Sequence, residues 1–146
     1  MTKKEVLAFM DARHVLMLTT MDGGAPETRA LINIRNPEIA PHLAEYFKAH
    51  GRMFLMTNTH TDKIAQIRKN PAAALYGFDD NFSGLLLKGK IVEITDAATI
   101  DALWDDSWKM YYPDGKDGGD FSLLEFLPES FKFFNGNGNG FVKTAG

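Results

Sequence analysis

HVLMLTTMDGGAPETRALINI, residues 14–34, is the stretch that decides the fold. Its first eight residues, 14–21, are apolar or β-branched after His14 and read as a strand. Asp22-Gly23-Gly24 reads as a tight turn, and PETRALINI (26–34) returns as a second strand, so the pair is an antiparallel hairpin. Side chains alternate along a strand with period two, which puts Thr28, Ala30, Ile32 and Ile34 on one face and Glu27, Arg29, Leu31 and Asn33 on the other. The first face is the more apolar, and Arg29 is expected to point away from it.

Outward from this hairpin, short helices and further strands follow. Thr2 and Glu5 have the spacing of a capping box, and Val6, Leu7, Phe9 and Met10 form an apolar stripe, so 2–12 reads as a helix covering one end of a barrel. Residues 41–50 read as a helix ended by Gly51, before the apolar strand 52–58. Thr61 is the expected N-cap of a helix running to about Asn70, with Ile64 and Ile67 inward and Pro71 as its stop. Strands 72–78 and 84–95 are joined by Asp79-Asp80-Asn81-Phe82, a turn composition. Asp96 caps a helix expected over 97–108, carrying Ile100, Leu103, Trp104 and Trp108. The loop 113–119 then leads to strands 120–127 and 130–134.

Six or seven strands with mostly hairpin connections make an antiparallel barrel, and no regular βαβ alternation or glycine-rich nucleotide loop suggests a parallel sheet. The fold class expected is mainly β with short helices (α+β). Residues 1–136 are expected to form one domain. The Gly/Asn-rich 137–146, which takes in most of NGNGNG (135–140), is expected to be a flexible tail.

Composition narrows the function. The chain has 146 residues, is 45% hydrophobic and carries a formal net charge of −3, with its basic residues scattered. A nucleic-acid partner is therefore not expected. Absence of cysteine removes disulfides, thiolate metal sites and thiol nucleophiles. The four histidines, His14, His42, His50 and His60, lack metal-ligand spacing. No segment approaches the roughly 20 apolar residues of a membrane span and the N-terminus lacks the pattern of a secretion signal, so a cytoplasmic protein without a membrane partner is expected.

The chemistry concentrates in TNTHTDKIAQIRKNP, residues 57–71, where a strand delivers Thr57 and Asn58 to a helix start holding Thr61, Asp62 and Lys63. Free backbone N–H groups, the positive end of the helix dipole, hydroxyls and a lysine suit an anion there. Capping by Thr61 and a solvated Lys63 would explain the same residues. Asp105-Asp106 read as solvated, Trp104 as core, and Trp108, Tyr111 and Tyr112 as candidates for a ligand-facing or dimer surface.

In order and spacing, Thr57-Asn58, Thr61-Asp62-Lys63, Gln66, Asn70-Pro71 and Lys88-Gly89-Lys90 resemble the pyridoxamine 5′-phosphate oxidase superfamily. Leu103-Trp104, Tyr112-Pro113-Asp114-Gly115 and Pro128-Glu129-Ser130 make the chain most similar to its general stress protein 26 group. The resemblance implies a six- to seven-stranded split β-barrel and a homodimer with FMN at its interface. It implies that Arg29 and Lys63 contact the FMN phosphate, with Thr61 and Asp62 beside them. It further implies that the backbone of Ala30, Leu31 and Ile32 and of Met56 and Thr57 lines the flavin; Trp108, from the aromatic cluster Trp108, Tyr111 and Tyr112, is a further candidate cofactor contact.

The departures bear on activity. Phe134 stands where true oxidases of this family carry tryptophan, and the residues after it contain neither the arginine nor the histidine that hold the oxidase substrate. The glutamine that contacts the flavin before the Gly89 strand is replaced in the region of Ser83-Gly84. The expected function is an FMN-dependent oxidoreductase of unknown small-molecule substrate or electron donor, not a true pyridoxamine-phosphate oxidase. The alternative is a stress protein that binds or senses a flavin or deazaflavin without turnover.

Overall fold

The structure is a computed structural model that describes residues 1–136 and, for their backbone, 141–145. The hairpin of 14–34 forms as β1 (Val15–Asp22) and β2 (Ala25–Ile32), closed by Gly23-Gly24 with Gly23 at φ +59°. Four further strands follow, β3 (Met53–Asn58), β4 (Ala72–Phe78), β5 (Gly84–Ile94) and β6 (Phe121–Phe134), and they join the hairpin in one antiparallel sheet ordered β2-β1-β4-β5-β6-β3. This sheet curls into a half-barrel, a mainly β fold with short helices. Strand β7 (Phe141–Ala145), which the sequence reading leaves in the tail, pairs antiparallel with Ser130–Phe134 of β6. The remaining tail positions, 137–140 and 146, lie outside the described residues.

Two apolar clusters hold the sheet. The first fills the inside of the half-barrel with Leu16 and Leu18 of β1, Leu75 of β4, Leu85, Leu87 and Ile91 of β5, and Leu124 and Phe126 of β6. Helix α1 (Lys3–Asp11) closes it with Val6 and Met10, its first turn fixed by the expected Thr2/Glu5 capping box. The second cluster lies behind β3 and β6, where Phe54, Met56, Phe121 and Leu123 meet Ile34, Leu43 and the helix α2 (Ala44–Ala49). Strand β3 is thus buried on both faces, and this is why 53–56 is a continuous apolar run rather than an alternating one.

Several boundaries differ from expectation. The helix expected over 97–108 ends as α3 at Leu103 (Ala97–Leu103), and a separate 3-10 turn spans Asp106–Met110. Trp104 is extended (ψ 140°), and Asp105 starts the new turn by accepting from the Ser107 N–H at 2.9 Å. Asp105 and Asp106 are therefore not simply solvated, since Asp106 also accepts from Trp104 Nε1 at 3.0 Å. The two strands expected at 120–127 and 130–134 are one. Pro128 sits at a β-bulge, where the register shifts between Lys88 and Gly89 of β5, so its missing N–H does not break the strand.

Arg29 points away from the more apolar face of β2, as expected, and that apolar face is the outer one. Glu27, Arg29 and Leu31 turn inward and are partly buried, whereas Thr28, Ala30 and Ile32 are exposed. Across the sheet Val15 pairs with Ile32, and Met17 with Ala30 and Tyr76, so an apolar outer face runs over β1, β2 and β4. Among the described residues no helix is long and apolar enough to cross a membrane.

Candidate functional site

Strands β2 and β3 end the strand order on opposite sides, and the segment after β3 spans between them. The turn leaving β3 is pinned to the start of β6: the Thr59 N–H donates to the Asp120 carbonyl at 2.7 Å, Asn58 Nδ2 donates to Asp120 Oδ2 at 2.7 Å, and the Thr59 and Ser122 hydroxyls share a bond of 2.7 Å. From this fixed turn starts a helix over Asp62–Lys69, which we call the site helix. Ile64 and Ile67 bury its inner face in the first cluster.

Thr61 occupies the N-cap position with extended backbone, yet its hydroxyl does not cap the helix. It donates instead to the Asn58 carbonyl at 2.9 Å. The first N–H groups of the site helix thus have no side-chain cap, in contrast to α1 and α3, whose N-caps Thr2 and Asp96 each accept one.

Lys63 is partly buried, and its Nζ donates to Thr61 Oγ1 at 3.2 Å. Its ammonium is held below the ordinary lysine range, first by burial and then by the neighbouring Arg29 charge, with Asp62 opposing. Two cations are thus brought together at one place. Arg29 reaches it from β2: its guanidinium donates to Thr20 Oγ1 at 2.6 Å and to Gln66 Oε1 at 3.2 Å, and lies 3.5 Å from Glu27. Together Glu27, Thr28, Arg29, Asp62 and Lys63 line an open recess of about 440 Å³.

The structure therefore brings Arg29, Asp62 and Lys63 together, with Thr61 adjoining. Ala30, Leu31 and Ile32 continue along β2, whose outer edge pairs with no strand among the described residues. Met56 and Thr57 are buried in β3, the opposite edge of the sheet. Trp108 is not part of this group: it is buried in the second cluster, edge-on to Trp104 with ring centroids 5.8 Å apart. Tyr112 is buried there as well, and Tyr111 alone of the three aromatic candidates is exposed. Trp104, expected in the core, is only partly buried.

Thr20 is a residue that the sequence did not single out, and Gln66 appeared there only as part of the motif spacing, without a role. Both are buried and polar, and Gln66 reaches three partners: it accepts from Thr20 Oγ1 at 2.5 Å and from Arg29, and donates to Glu27 at 2.6 Å. The available signal was a glutamine between Ile64 and Ile67 on the inward side of a short helix.

The donor set suits a phosphate ester: two cations line one open recess beside an uncapped helix start. It also carries two carboxylates, Glu27 and Asp62, so any anion enters a recess whose formal charges already balance.

Comparison with known proteins bears on the fold and the family. No curated protein matches the chain. Among solved structures, a protein from Clostridium acetobutylicum related to general stress protein 26 of B. subtilis is 27% identical, with TM-score 0.74 over 98% of this chain and 96% of that one. A pyridoxamine 5′-phosphate oxidase-related, FMN binding protein from Nostoc punctiforme is 16% identical, with TM-score 0.65 over 96% of this chain and 85% of that one. A heme binding protein from Mycobacterium smegmatis shares the fold at 16% identity and TM-score 0.69, over 98% of this chain and 57% of that one. The family model for pyridoxamine 5′-phosphate oxidase matches residues 2–135, and the chain belongs to that family.

Proposed function

We propose that this chain is an FMN-dependent oxidoreductase that works as a homodimer on a small-molecule substrate other than pyridoxamine phosphate. The observation that carries this reading is the convergence of Lys63 and Arg29 beside the uncapped start of the site helix. A phosphate monoester placed there would favour the charged form of Lys63, which burial and the neighbouring Arg29 charge disfavour. Bound FMN would supply two-electron redox chemistry, which the protein itself does not carry out.

The residues have separate parts in this reading. Lys63, Arg29 and the first N–H groups of the site helix hold the phosphate, with Thr61 and Asp62 at the rim. The unpaired edge of β2 at Ala30, Leu31 and Ile32 offers backbone groups to the polar edge of the ring system, and the backbone of Met56 and Thr57 serves the opposite side. The apolar outer face of β1, β2 and β4 supports pairing with a second copy, which would exclude water from the site.

The test is the absorption spectrum of purified protein, followed by fluorescence titration with FMN, riboflavin and a deazaflavin. Tight binding of FMN and weaker binding of riboflavin are expected. Equal affinity for FMN and riboflavin would overturn the phosphate site. Bound FMN that no donor reduces would favour the flavin-sensing alternative over an enzyme. Turnover of pyridoxamine phosphate on the order of 1 per second would show that the departures after Phe134 do not matter.

A further inference from the structure

The guanidinium of Arg29 does not stand free at the recess. It is one corner of a closed ring of hydrogen bonds with Thr20 of β1 and Gln66 of the site helix. Arg29 donates to Thr20 Oγ1 at 2.6 Å, Thr20 donates its single hydroxyl proton to Gln66 Oε1 at 2.5 Å, and Arg29 donates to the same Oε1 at 3.2 Å. A weaker contact joins Arg29 to the Leu18 carbonyl at 3.4 Å.

The ring has one consistent polarity. The hydroxyl proton of Thr20 is committed to Gln66, so an oxygen lone pair faces Arg29. The Gln66 amide cannot be turned over, because its oxygen meets two donors while its Nε2 donates to Glu27 at 2.6 Å. Thr20 is fully buried and Gln66 nearly so, hence neither group can exchange these partners for water without an unsatisfied polar atom.

Gln66 lies three residues after Lys63, on the same side of the site helix. The bond from Gln66 to Arg29 therefore also sets where Lys63 stands relative to Arg29. Two like charges brought together repel, and Arg29 is a long side chain on an edge strand that would otherwise swing outward.

We propose that Gln66 and Thr20 are positioning residues that lock the Arg29 guanidinium against Lys63, and so set the preference of the site for a phosphate-bearing flavin. Gln66 also tethers the Glu27 carboxylate, which limits its competition with the incoming anion. This inference rests on the FMN reading for its ligand, but the ring itself does not depend on it.

Two measurements separate the two claims. In ligand-free protein, slowed rotation of the Arg29 guanidinium is expected by nitrogen-detected NMR, and it should be lost in Thr20→Val and Gln66→Leu but kept in Thr20→Ser. In flavin titrations, Thr20→Val and Gln66→Leu should each reduce the FMN-to-riboflavin preference about tenfold, with riboflavin affinity unchanged and Thr20→Ser close to the parent protein. If Gln66→Leu does not fold, the Thr20 pair decides.

A Lys63→Ala variant that loses the FMN preference, beside Thr20→Val and Gln66→Leu variants that keep it, would overturn the positioning role alone. Equal losses for FMN and riboflavin would make the ring merely structural and overturn it too. If the parent protein shows no FMN preference, the FMN reading fails, and the NMR comparison still decides whether the ring locks Arg29.

Discussion

Gly89 of β5 lies against the Leu127 carbonyl of β6 so closely that a Cβ at this position would stand 2.0 Å from the oxygen. The approach comes from the bulge at Pro128, which pushes the β6 backbone toward β5. Gly89→Ala should therefore destabilise the protein by roughly 1–3 kcal/mol, because backbone rather than a flexible side chain must move. Gly24→Ala, where a Cβ would meet nothing within 4 Å, is the control and should stay within about 0.5 kcal/mol. Urea unfolding midpoints measure both.

Burial pushes the Tyr112 hydroxyl up to about 12, with Asp120 and Tyr111 adding to it. In the unfolded chain the group ionises near its ordinary value of 10.0. The folded state therefore keeps a proton that the unfolded state has lost, and stability present below pH 10 falls as pH rises toward 12. Of the four tyrosines, one should ionise late in an ultraviolet titration of folded protein. Tyr112→Phe should remove that late phase; its persistence would show that another tyrosine is responsible.

Lys63 works in the opposite sense. Its folded value lies below that of a free lysine, so between the lowered value and 10.5 the unfolded chain binds more protons, and the ligand-free protein should gain stability as pH rises through that window. A phosphate beside the ammonium favours the charged form. FMN binding should then take up a proton in this window, and FMN affinity should fall as pH rises while riboflavin affinity stays level. Calorimetry in buffers of different ionisation enthalpy measures the uptake, and no uptake would place the phosphate away from Lys63.

The outer face of β1, β2 and β4 gives the assembly prediction. Val15 and Ile32 face each other across the hairpin, 48% and 37% exposed. Ile32→Glu should convert a dimer to a monomer in light scattering at micromolar concentration and weaken FMN binding with it, while leaving the fold unchanged by circular dichroism. A parent protein that is already monomeric in the presence of FMN would remove the dimer from the proposal.

The strands and most helices were legible because each carries its own signal: alternation in β1, turn residues at Gly23-Gly24, the capping box of Thr2 and Glu5. What the sequence left open was which face of β2 is covered. Alternation along β2 shows that Ala30 and Ile32 share a side, but not that this side is left uncovered while Arg29 turns inward to Thr20 and Gln66. Likewise Pro128 reads as a strand end unless the bulge opposite Gly89 is known, and Asp105 reads as surface unless it caps a new turn. At the site, Lys63 and Arg29 were visible through family spacing. The role of Gln66 was not, because it depends on partners from β1 and β2 that meet it only in the folded chain.

Strand β3 leaves one more consequence. Among the described residues it pairs only with β6, so a segment made in the first half of the chain has its strand partner near the other end. During synthesis β3 must wait, with an apolar face on each side, until Phe121–Phe126 has left the ribosome. Such long-range pairing slows folding and exposes a sticky intermediate to self-association. Premature termination before β6 should thus yield a chain that chaperones retain, rather than a smaller half-barrel.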